Sequence, residues 1–317
     1  MKAHELKIFS GNAHRELAAG IAARAGVPLS DATVIRFPDG EISVRFEETV
    51  RGRDVFIVQP TAQQPNEYLM ELLVMADAAK RASAARVTAV MPYFAYARQD
   101  RKDRSRVPIS AKLVANLLAA AGLDRVLTMD LHAPQIQGFF DIPLDHLYAA
   151  PVLVRYLKAR HDKDVVVVAP DPGSLKMAYG YAKRMGAGIA LVAKQRKSAT
   201  EVEAMDLVGD VAGRHCVIVD DMTATAGTLC AAAQIIMARG AASVCAAVSH
   251  CPITPIGLER LENSPIEELV TTDSIPPPPV KAGSRLKVLS IAPLLGDAIL
   301  RIHGDESVSN LFEIQGE

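Results

Sequence analysis

The chain has 317 residues, a formal net charge of −1 at pH 7, half of its residues hydrophobic and only 5% aromatic. This length accommodates two globular domains of roughly 150 residues each, and a core built mainly from Ala, Val, Leu and Ile suits an α/β architecture. Because the net charge is close to zero, bulk electrostatics gives no reason to expect binding to nucleic acid or to a membrane surface.

The start of the chain, MKAHELKIFSG, lacks an apolar segment of signal-peptide length. No apolar run approaches the roughly 18 residues that a membrane span requires. Four cysteines, Cys216, Cys230, Cys245 and Cys251, show neither CxxC nor zinc-finger spacing, which predicts reduced thiols. We therefore expect a cytoplasmic protein without membrane or nucleic-acid partners.

Strand and helix patterns alternate along the whole chain. Period-2 and continuously apolar runs predict strands at 6–9, 33–37, 42–46, 55–59, 87–91, 125–129, 165–168, 189–193, 216–219, 243–249 and 266–271. Apolar residues at helical spacing predict helices at 13–25, 66–81, 111–121, 151–160 and 226–238, and the turn at 169–174 leads into another helix. This alternation predicts α/β domains, each with a mainly parallel sheet flanked by helices. We place the first domain at 1–148 and the second at 149–306.

The most informative stretch is HCVIVDDMTATAGTL, from His215 to Leu229. Its apolar run is typical of a strand buried on both faces, and ligands in such sheets lie beyond the carboxyl ends of strands, where Asp220 and Asp221 stand. Carboxylates at this edge can bind sugar hydroxyls or Mg²⁺. The small and hydroxylated residues that follow open a helix and predict a phosphate cradle. The alternative is an ordinary turn whose acids cap the helix.

Four further segments carry candidate chemistry, each with a plainer alternative. RFPDGE at 36–41 displays an aromatic and two acids on a turn, or is a solvated turn. The basic run within 93–106 predicts phosphate or nucleic-acid contacts, or a charged loop. His132 follows a strand and is a metal-site candidate or a structural histidine. Residues 194–203 form a polar segment, which is usually a mobile surface loop.

Together these segments resemble the ribose-phosphate diphosphokinase (phosphoribosyl diphosphate synthetase) family over nearly the whole chain. The motifs are RFPDGE, PYFAYARQDRK, DLHAPQIQGFF, DDMTATAGT and SVSNLF. The resemblance implies two phosphoribosyltransferase-type domains, and a tail at 307–317 that packs back on the first. It implies transfer of the diphosphoryl group of Mg-ATP to the 1-hydroxyl of ribose 5-phosphate, giving 5-phosphoribosyl 1-diphosphate and AMP for nucleotide biosynthesis.

The resemblance also implies roles for single residues. ATP would contact Arg98, Gln99 and Asp100, together with Phe37, Asp39 and Glu41 from a neighbouring subunit. His132 and Asp171 would hold Mg²⁺, and Lys194 and Arg196 would act in catalysis. Ribose 5-phosphate would contact Asp220, Asp221, Ala224, Thr225, Ala226, Gly227 and Thr228. Arg51, Ser83, Arg104, Ser307 and Ser309 are candidate allosteric residues.

The chain departs from the family pattern at four positions. Ala224 replaces the third aspartate of DDxxDTAGT, and Pro172, Ser174 and Met177 alter the turn after the strand at 165–168. All four lie on the ribose phosphate side, whereas the ATP motifs are nearly intact. The main expectation is an active synthetase in a homo-oligomer, either a dimer or a hexamer. The alternatives are a weak or inactive paralogue that serves as a subunit of an active synthetase in a hetero-oligomer, and an enzyme for another pentose phosphate.

Overall fold

A computed structural model describes residues 4–161, 163–195, 204–279 and 283–311, without the side chains of residues 194, 195, 204 and 205. The chain divides into two compact units. The first contains the chain up to Tyr148, residues 274–276 and the chain from Ser290 onward; the second contains Ala149–Asp273 and Pro277–Leu289. The sequence placed residues up to 306 in the second domain, so the last part of the chain is distributed differently.

The first unit is built on a five-stranded sheet in the order β1-β4-β5-β6-β7. All of its neighbouring strands are parallel. A separate antiparallel hairpin joins β2 to β3. In chain order the elements are β1 (Leu6–Ser10), α1 (Arg15–Ala25), β2 (Ala32–Arg36), β3 (Ile42–Phe46), β4 (Asp54–Val58), α2 (Pro65–Arg81), β5 (Arg86–Met91), α3 (Ser110–Ala120), β6 (Arg125–Met129), a 3-10 helix (Pro134–Phe139) and β7 (Leu144–Leu147).

The second unit is built on a seven-stranded sheet in the order β10-β9-β8-β11-β12-β13-β14. Its strands are parallel except for the antiparallel pair of β9 and β10. The elements are α4 (Ala150–Arg160), β8 (Val165–Ala169), a 3-10 helix (Pro172–Ser174), α5 (Leu175–Met185), β9 (Gly188–Gln195), β10 (Ala204–Val208), β11 (His215–Met222), α6 (Gly227–Ala238), β12 (Ser243–His250), α7 (Pro255–Glu262), β13 (Ile266–Thr272) and β14 (Leu286–Leu289).

The chain returns to the first unit through α8 (Ala292–His303), which packs against α1. Arg24 of α1 donates two hydrogen bonds to the Asp297 carboxylate, at 2.8 and 3.0 Å. At the C-terminal end of α8, the buried Asp54 carboxylate lies 2.8 Å from His303 Nδ1 and accepts hydrogen bonds from Arg86. These contacts fix the C-terminal helix to the first sheet.

The predicted α/β class with mainly parallel sheets is confirmed. Strands in the middle of a sheet are buried on both faces, so their sequences are continuously apolar: Val166, Val167 and Val168 are buried, as are Cys216 to Val219. The sequence alone did not predict β7, β10 and β14, which lie at sheet edges, or the helices α7 and α8.

Among the described residues, no helix combines the length and hydrophobicity needed to cross a membrane. All four cysteines are buried and free, as their spacing predicted. Burial raises the pKa of the Cys216 thiol to about 11 and the pKa of the Cys251 thiol to about 12. These thiols are therefore core residues of low reactivity.

Candidate functional site

The parallel register of β8 and β11 brings two acidic segments to one edge of the second sheet. Val165 to Val168 pair with His215 to Ile218, so the strands run side by side to their carboxyl ends. Asp171 follows β8, and Asp220 lies near the carboxyl end of β11. Because β11 continues to Met222 beside β12, Asp220 and Asp221 lie within the strand instead of after it. Carboxylates from both strands therefore share one edge.

Ser174 links these two segments. Its hydroxyl oxygen lies 2.7 Å from Asp220 Oδ1 and 3.3 Å from Asp171 Oδ1. The hydroxyl has one proton, and the shorter distance assigns it to Asp220. The backbone amide of Ser174 donates to Asp171 Oδ1 at 3.1 Å, which caps the 3-10 helix Pro172–Ser174. The Ser174 amide is thus bound to Asp171, and Pro172 has no amide that could bind an anion.

Asp220 is the most strongly perturbed carboxyl group at this edge. Burial raises its pKa to about 7; the Ser174 hydrogen bond acts in the opposite direction, and the charges of Asp221 and Asp171 add to the rise. A half-buried carboxylate close to two others is costly to ionise without a counter-charge. The site is therefore prepared for a cation or for hydroxyl donors.

The loop after β11 has a fixed backbone. Ala226, at the N-cap of α6, has a left-handed backbone conformation with φ of 54°, which is uncommon for a residue other than glycine. Its amide donates to Thr223 Oγ1 at 3.2 Å. The amino end of α6 follows directly, where unpaired amides and the helix dipole favour an anion. The loop 223–228 is thus a candidate phosphate cradle.

Helix α7 and its N-cap residue contact this loop and support it. The amide and the hydroxyl of Thr254 both donate to the Ala224 carbonyl oxygen, at 2.8 and 3.2 Å. A side chain at Gly257 would come within 2.7 Å of the same oxygen, so only glycine allows this close approach. Arg260 donates to the Thr225 carbonyl oxygen at 3.3 Å. None of these contacts uses the side chain of residue 224.

In the first unit, the segment after β5 meets the segment after β6. Asp100 accepts a hydrogen bond from Gln135, whose 3-10 helix follows β6, at 2.8 Å. The Gln99 side chain accepts from Ser110, and its carbonyl oxygen accepts from the Ala111 amide at 3.2 Å, so the loop is tied to the start of α3. Arg98 is exposed beside them. The three predicted ATP residues therefore lie on one braced loop.

His132 is exposed and lies in the same region, three residues after β6 ends. The segment is held by its backbone. Asp130 donates its amide to the Leu147 carbonyl oxygen at 3.0 Å, and the Leu131 amide donates to His146 Nε2 at 2.9 Å. The structure thus brings His132 to the same edge of the first sheet as the loop with Arg98 to Asp100.

The hairpin turn between β2 and β3 displays Phe37, Asp39 and Glu41 at the surface. The Phe37 amide donates to the Glu41 carbonyl oxygen at 2.8 Å, and the Glu41 amide donates to Asp39 Oδ1 at 3.2 Å. Gly40 has φ of 99°, a conformation that glycine adopts readily in tight turns because it has no Cβ atom. The turn is rigid, and its three candidate side chains are exposed.

The remaining candidates are distributed as follows. Lys194 belongs to β9, and its side chain, like all of Arg196, lies outside the described residues. Arg51 and Ser83 are exposed on adjacent segments, since the Gly52 amide donates to the Ser83 carbonyl oxygen at 2.8 Å. Arg104 is exposed. Ser307 and Ser309 follow α8, and the Ser309 amide donates to Ser307 Oγ at 3.2 Å.

Three supporting residues were absent from the predicted site. Thr254, Arg260 and Gln135 contact the candidate loops from segments far along the chain. Thr254 follows an N-cap pattern, with Pro255 at the first helical position, and this signal was available in the sequence. Nothing in the sequence connects any of the three to a particular loop.

Comparisons with known proteins agree with this arrangement. Residues 6–122 match the model of the N-terminal domain of ribose phosphate pyrophosphokinase, and residues 197–313 match the phosphoribosyl synthetase-associated domain. Ribose-phosphate pyrophosphokinases from Caldanaerobacter subterraneus subsp. tengcongensis and Clostridium tetani are both 51% identical to the chain. These alignments cover 98% of this chain and of the first relative, and 97% of this chain and of the second.

The crystal structure of phosphoribosylpyrophosphate synthetase from Mycobacterium smegmatis superposes with a TM-score of 0.90 and 42% identity. It covers 95% of this chain and 99% of the other. The two α/β units, each with a mainly parallel sheet, therefore have the phosphoribosyltransferase-type fold. The chain belongs to the ribose-phosphate pyrophosphokinase family.

Proposed function

We propose that this protein transfers the β,γ-diphosphoryl group of Mg-ATP to the 1-hydroxyl of ribose 5-phosphate, for nucleotide biosynthesis in the cytoplasm. The sugar oxygen forms a bond to the β-phosphorus, the bond between the α,β-bridging oxygen and the β-phosphorus breaks, and the hydroxyl proton is released. The products are 5-phosphoribosyl 1-diphosphate and AMP. The observation that carries the proposal is the loop 223–228, whose backbone is fixed beside Asp220 and Asp221 without help from the side chain of residue 224.

Ribose 5-phosphate binds at this loop in the proposed mechanism. The amides of Ala224, Thr225, Gly227 and Thr228 hold the 5-phosphate, because they lie at the amino end of α6, and the Ala226 amide shapes the loop by donating to Thr223 Oγ1. Asp220 and Asp221 accept hydrogen bonds from the ribose hydroxyls. Family membership supports this assignment, and alanine at position 224 retains the amide that the phosphate needs.

The acidic edge also fits Mg²⁺. The described residues contain no group of three or more His, Cys, Asp and Glu side chains that could hold a metal ion. Mg²⁺ does not need such a group, because it binds through one or two carboxylates together with phosphate oxygens and water. Asp171 of this edge would hold an ion that accompanies the nucleotide, and His132, in the first unit, is the other proposed metal ligand. When bound, it neutralises charge on the phosphate oxygens.

ATP binds to the first unit in this proposal. Arg98 neutralises phosphate charge, and Gln99 and Asp100 complete the contacts from the same braced loop. Phe37, Asp39 and Glu41 contact adenine in a neighbouring subunit, which suits a rigid turn with exposed side chains. The active form is then an oligomer of this chain, for which we propose a dimer or a hexamer.

Lys194 and Arg196 stabilise charge on the transferring group. Phosphoryl transfer depends mainly on positioning and electrostatics, and removal of one such cation typically lowers the rate on the order of 10²–10³-fold. Arg51, Ser83, Arg104, Ser307 and Ser309 are proposed to form a regulatory site. The proximity of the segments that carry Arg51 and Ser83 supports part of that assignment.

The test is AMP formation by the purified chain with Mg-ATP and ribose 5-phosphate, compared with the Ala224→Asp variant. We expect turnover in the wild type, because the contacts that shape the loop are made by backbone atoms of residue 224. Lys194→Ala is the control for the chemical step and should abolish turnover. If the wild type is inactive and Ala224→Asp is active, the proposal is wrong.

The Ala224 side chain favours a second candidate function, that of a subunit without catalytic activity. A methyl group stands where the family motif has a carboxylate, and it cannot bind a hydroxyl group or a metal ion. In this case the chain would bind ATP without turnover, as a subunit of a hetero-oligomer with an active paralogue. Nucleotide binding by the wild type without AMP formation, and restored activity when the paralogue is added, would support this candidate.

A further inference from the structure

Ser174 makes one hydrogen bond to each of two carboxylates that lie 46 and 3 residues away in sequence. Its hydroxyl donates to Asp220 Oδ1 at 2.7 Å, and its amide donates to Asp171 Oδ1 at 3.1 Å. Ser174 is itself buried. A single residue thereby fixes the relative orientation of one carboxylate after β8 and another at the end of β11.

The hydrogen bonds at these two carboxylates all end on the same oxygen of each group, Oδ1. Asp220 Oδ1 also accepts from the Asp221 amide at 2.9 Å, so this oxygen already has two donors. For both Asp171 and Asp220, the hydrogen bonds to Ser174 end on Oδ1, and no described residue donates to Oδ2. Rotation of either carboxyl group would break a bond to Ser174 or to the Asp221 amide. One oxygen of each carboxylate is therefore held by the protein, and the other is left for a ligand.

The bond to Asp220 depends on the Ser174 hydroxyl. Glycine or alanine would keep the amide bond to Asp171 but lose the bond to Asp220. Asp220 would then be held by the neighbouring Asp221 amide alone, and its side-chain torsions would be less restricted. Serine at this position, one of the four departures from the family motif, thus adds a constraint that glycine cannot supply.

We propose that Ser174 is a positioning residue for ribose 5-phosphate, which orients Asp220 so that its Oδ2 accepts a hydrogen bond from a ribose hydroxyl. This inference rests on the proposed function, since the ligand is the sugar phosphate of that reaction. Ser174 does not touch the ligand. It lowers the conformational cost of binding because the carboxylate is oriented before the sugar arrives.

The experiment measures ribose 5-phosphate binding by calorimetry in the presence of Mg²⁺, and the KM for ribose 5-phosphate and for ATP, in Ser174→Ala and Ser174→Gly. Both variants should weaken sugar phosphate binding about tenfold, the effect of losing a hydrogen bond to a charged group. The KM for ATP should stay unchanged. Ser264→Ala is the matched control, because Ser264 is also buried in the second unit and donates to the Leu261 carbonyl oxygen at 2.8 Å.

The possible outcomes separate the two proposals. If the wild type binds ribose 5-phosphate without turnover and both variants bind it about tenfold more weakly, Ser174 has the proposed role while the catalytic proposal fails. If turnover occurs but both variants bind the sugar phosphate like the wild type, the role of Ser174 is wrong and the catalytic proposal stands. A loss in Ser174→Ala without a loss in Ser174→Gly would assign the effect to bulk and overturn the proposal. Absence of binding in the wild type would overturn it too.

Discussion

Thr254 and Ala224, thirty residues apart, are joined by two hydrogen bonds to a single carbonyl oxygen, from the Thr254 amide at 2.8 Å and from its hydroxyl at 3.2 Å. The same hydroxyl accepts a bond from the Gly257 amide and caps α7. The shape of the loop 223–228 therefore depends on a helix start that follows the next strand along the chain. This relationship explains how the loop keeps its form although its aspartate is replaced by alanine.

Thr254→Val should weaken both the helix cap and the loop. Loss of a threonine N-cap typically costs about 1 kcal/mol of stability, and we expect ribose 5-phosphate affinity to fall several-fold while ATP affinity is retained. Thermal unfolding and ligand titration measure the two effects. Thr88→Val is the control, because Thr88 Oγ1 is buried and has no hydrogen-bond partner among the described residues. Equal losses in both variants would contradict the prediction.

Gly257→Ala should move α7 away from the loop. The added carbon would lie 2.7 Å from both the Ala224 carbonyl oxygen and Ile253 Cγ1. Overpacking of this kind typically costs about 1–3 kcal/mol, and the displaced loop should raise the KM for ribose 5-phosphate. At Gly188 the same substitution meets its nearest atom at 3.5 Å, so Gly188→Ala is the matched control. An unchanged KM in Gly257→Ala would show that the loop does not depend on α7.

Phe37→Ala tests the hairpin turn as part of the ATP site. Phe37 is 46% exposed and Ile35 of the same hairpin is 50% exposed, so both alanine variants should fold with nearly wild-type stability. Stacking of a base on an aromatic ring is worth ~1–3 kcal/mol. We therefore expect the KM for ATP to rise about tenfold in Phe37→Ala and to stay constant in Ile35→Ala. Equal effects on both would remove Phe37 from the adenine site.

Asp54 should be a main anchor of the C-terminal helix. Its side chain is 2% exposed and binds Arg86 and His303. Asp297, which like His303 belongs to α8, instead forms a more exposed pair with Arg24 of α1. Breaking a buried pair costs about 3–5 kcal/mol, and an exposed one below about 1 kcal/mol. Hydrogen exchange of the amides in α8 should accelerate strongly in Asp54→Ala and slightly in Asp297→Ala. The reverse order would contradict this assignment.

His161 should make the second unit sensitive to acid. Burial lowers its pKa below 6.5, and the nearby His215 and Arg160 add to this shift. The His161 and His215 rings lie 5.5 Å apart. Because the folded state favours neutral His161, its contribution to stability is complete above pH 6.5 and is lost as the pH falls through 6.5 towards the folded pKa.

Thermal unfolding at several pH values between 7.5 and 5 measures this effect. The stability of the wild type should begin to fall near pH 6.5, the pKa of a histidine in the unfolded chain. His161→Gln should lose less stability on acidification than the wild type. His4→Gln is the control, since His4 is exposed, and should follow the wild-type curve. If the wild type and His161→Gln have parallel pH profiles, the titration of His161 does not influence folding.

The sequence by itself determined the parallel sheets and the family, and it located the candidate phosphate loop. Val165 to Val168 and Cys216 to Val219 are continuously apolar because they lie in the middle of a sheet, and such local patterns need no knowledge of the partners. The acids after Val219 and the small residues before α6 are likewise adjacent in the chain. Their chemistry was therefore visible without a structure.

Only the tertiary structure decided which distant residues support that loop. It extended β11 through Asp220 and Asp221 because Asp220 and Met222 pair with β12, and it assigned α8 to the first unit through Arg24 and Asp297. It also placed the Ser174 hydroxyl on Asp220. Each of these contacts joins segments that lie far apart in sequence. Local periodicity cannot specify them, because they depend on the register and packing of complete sheets.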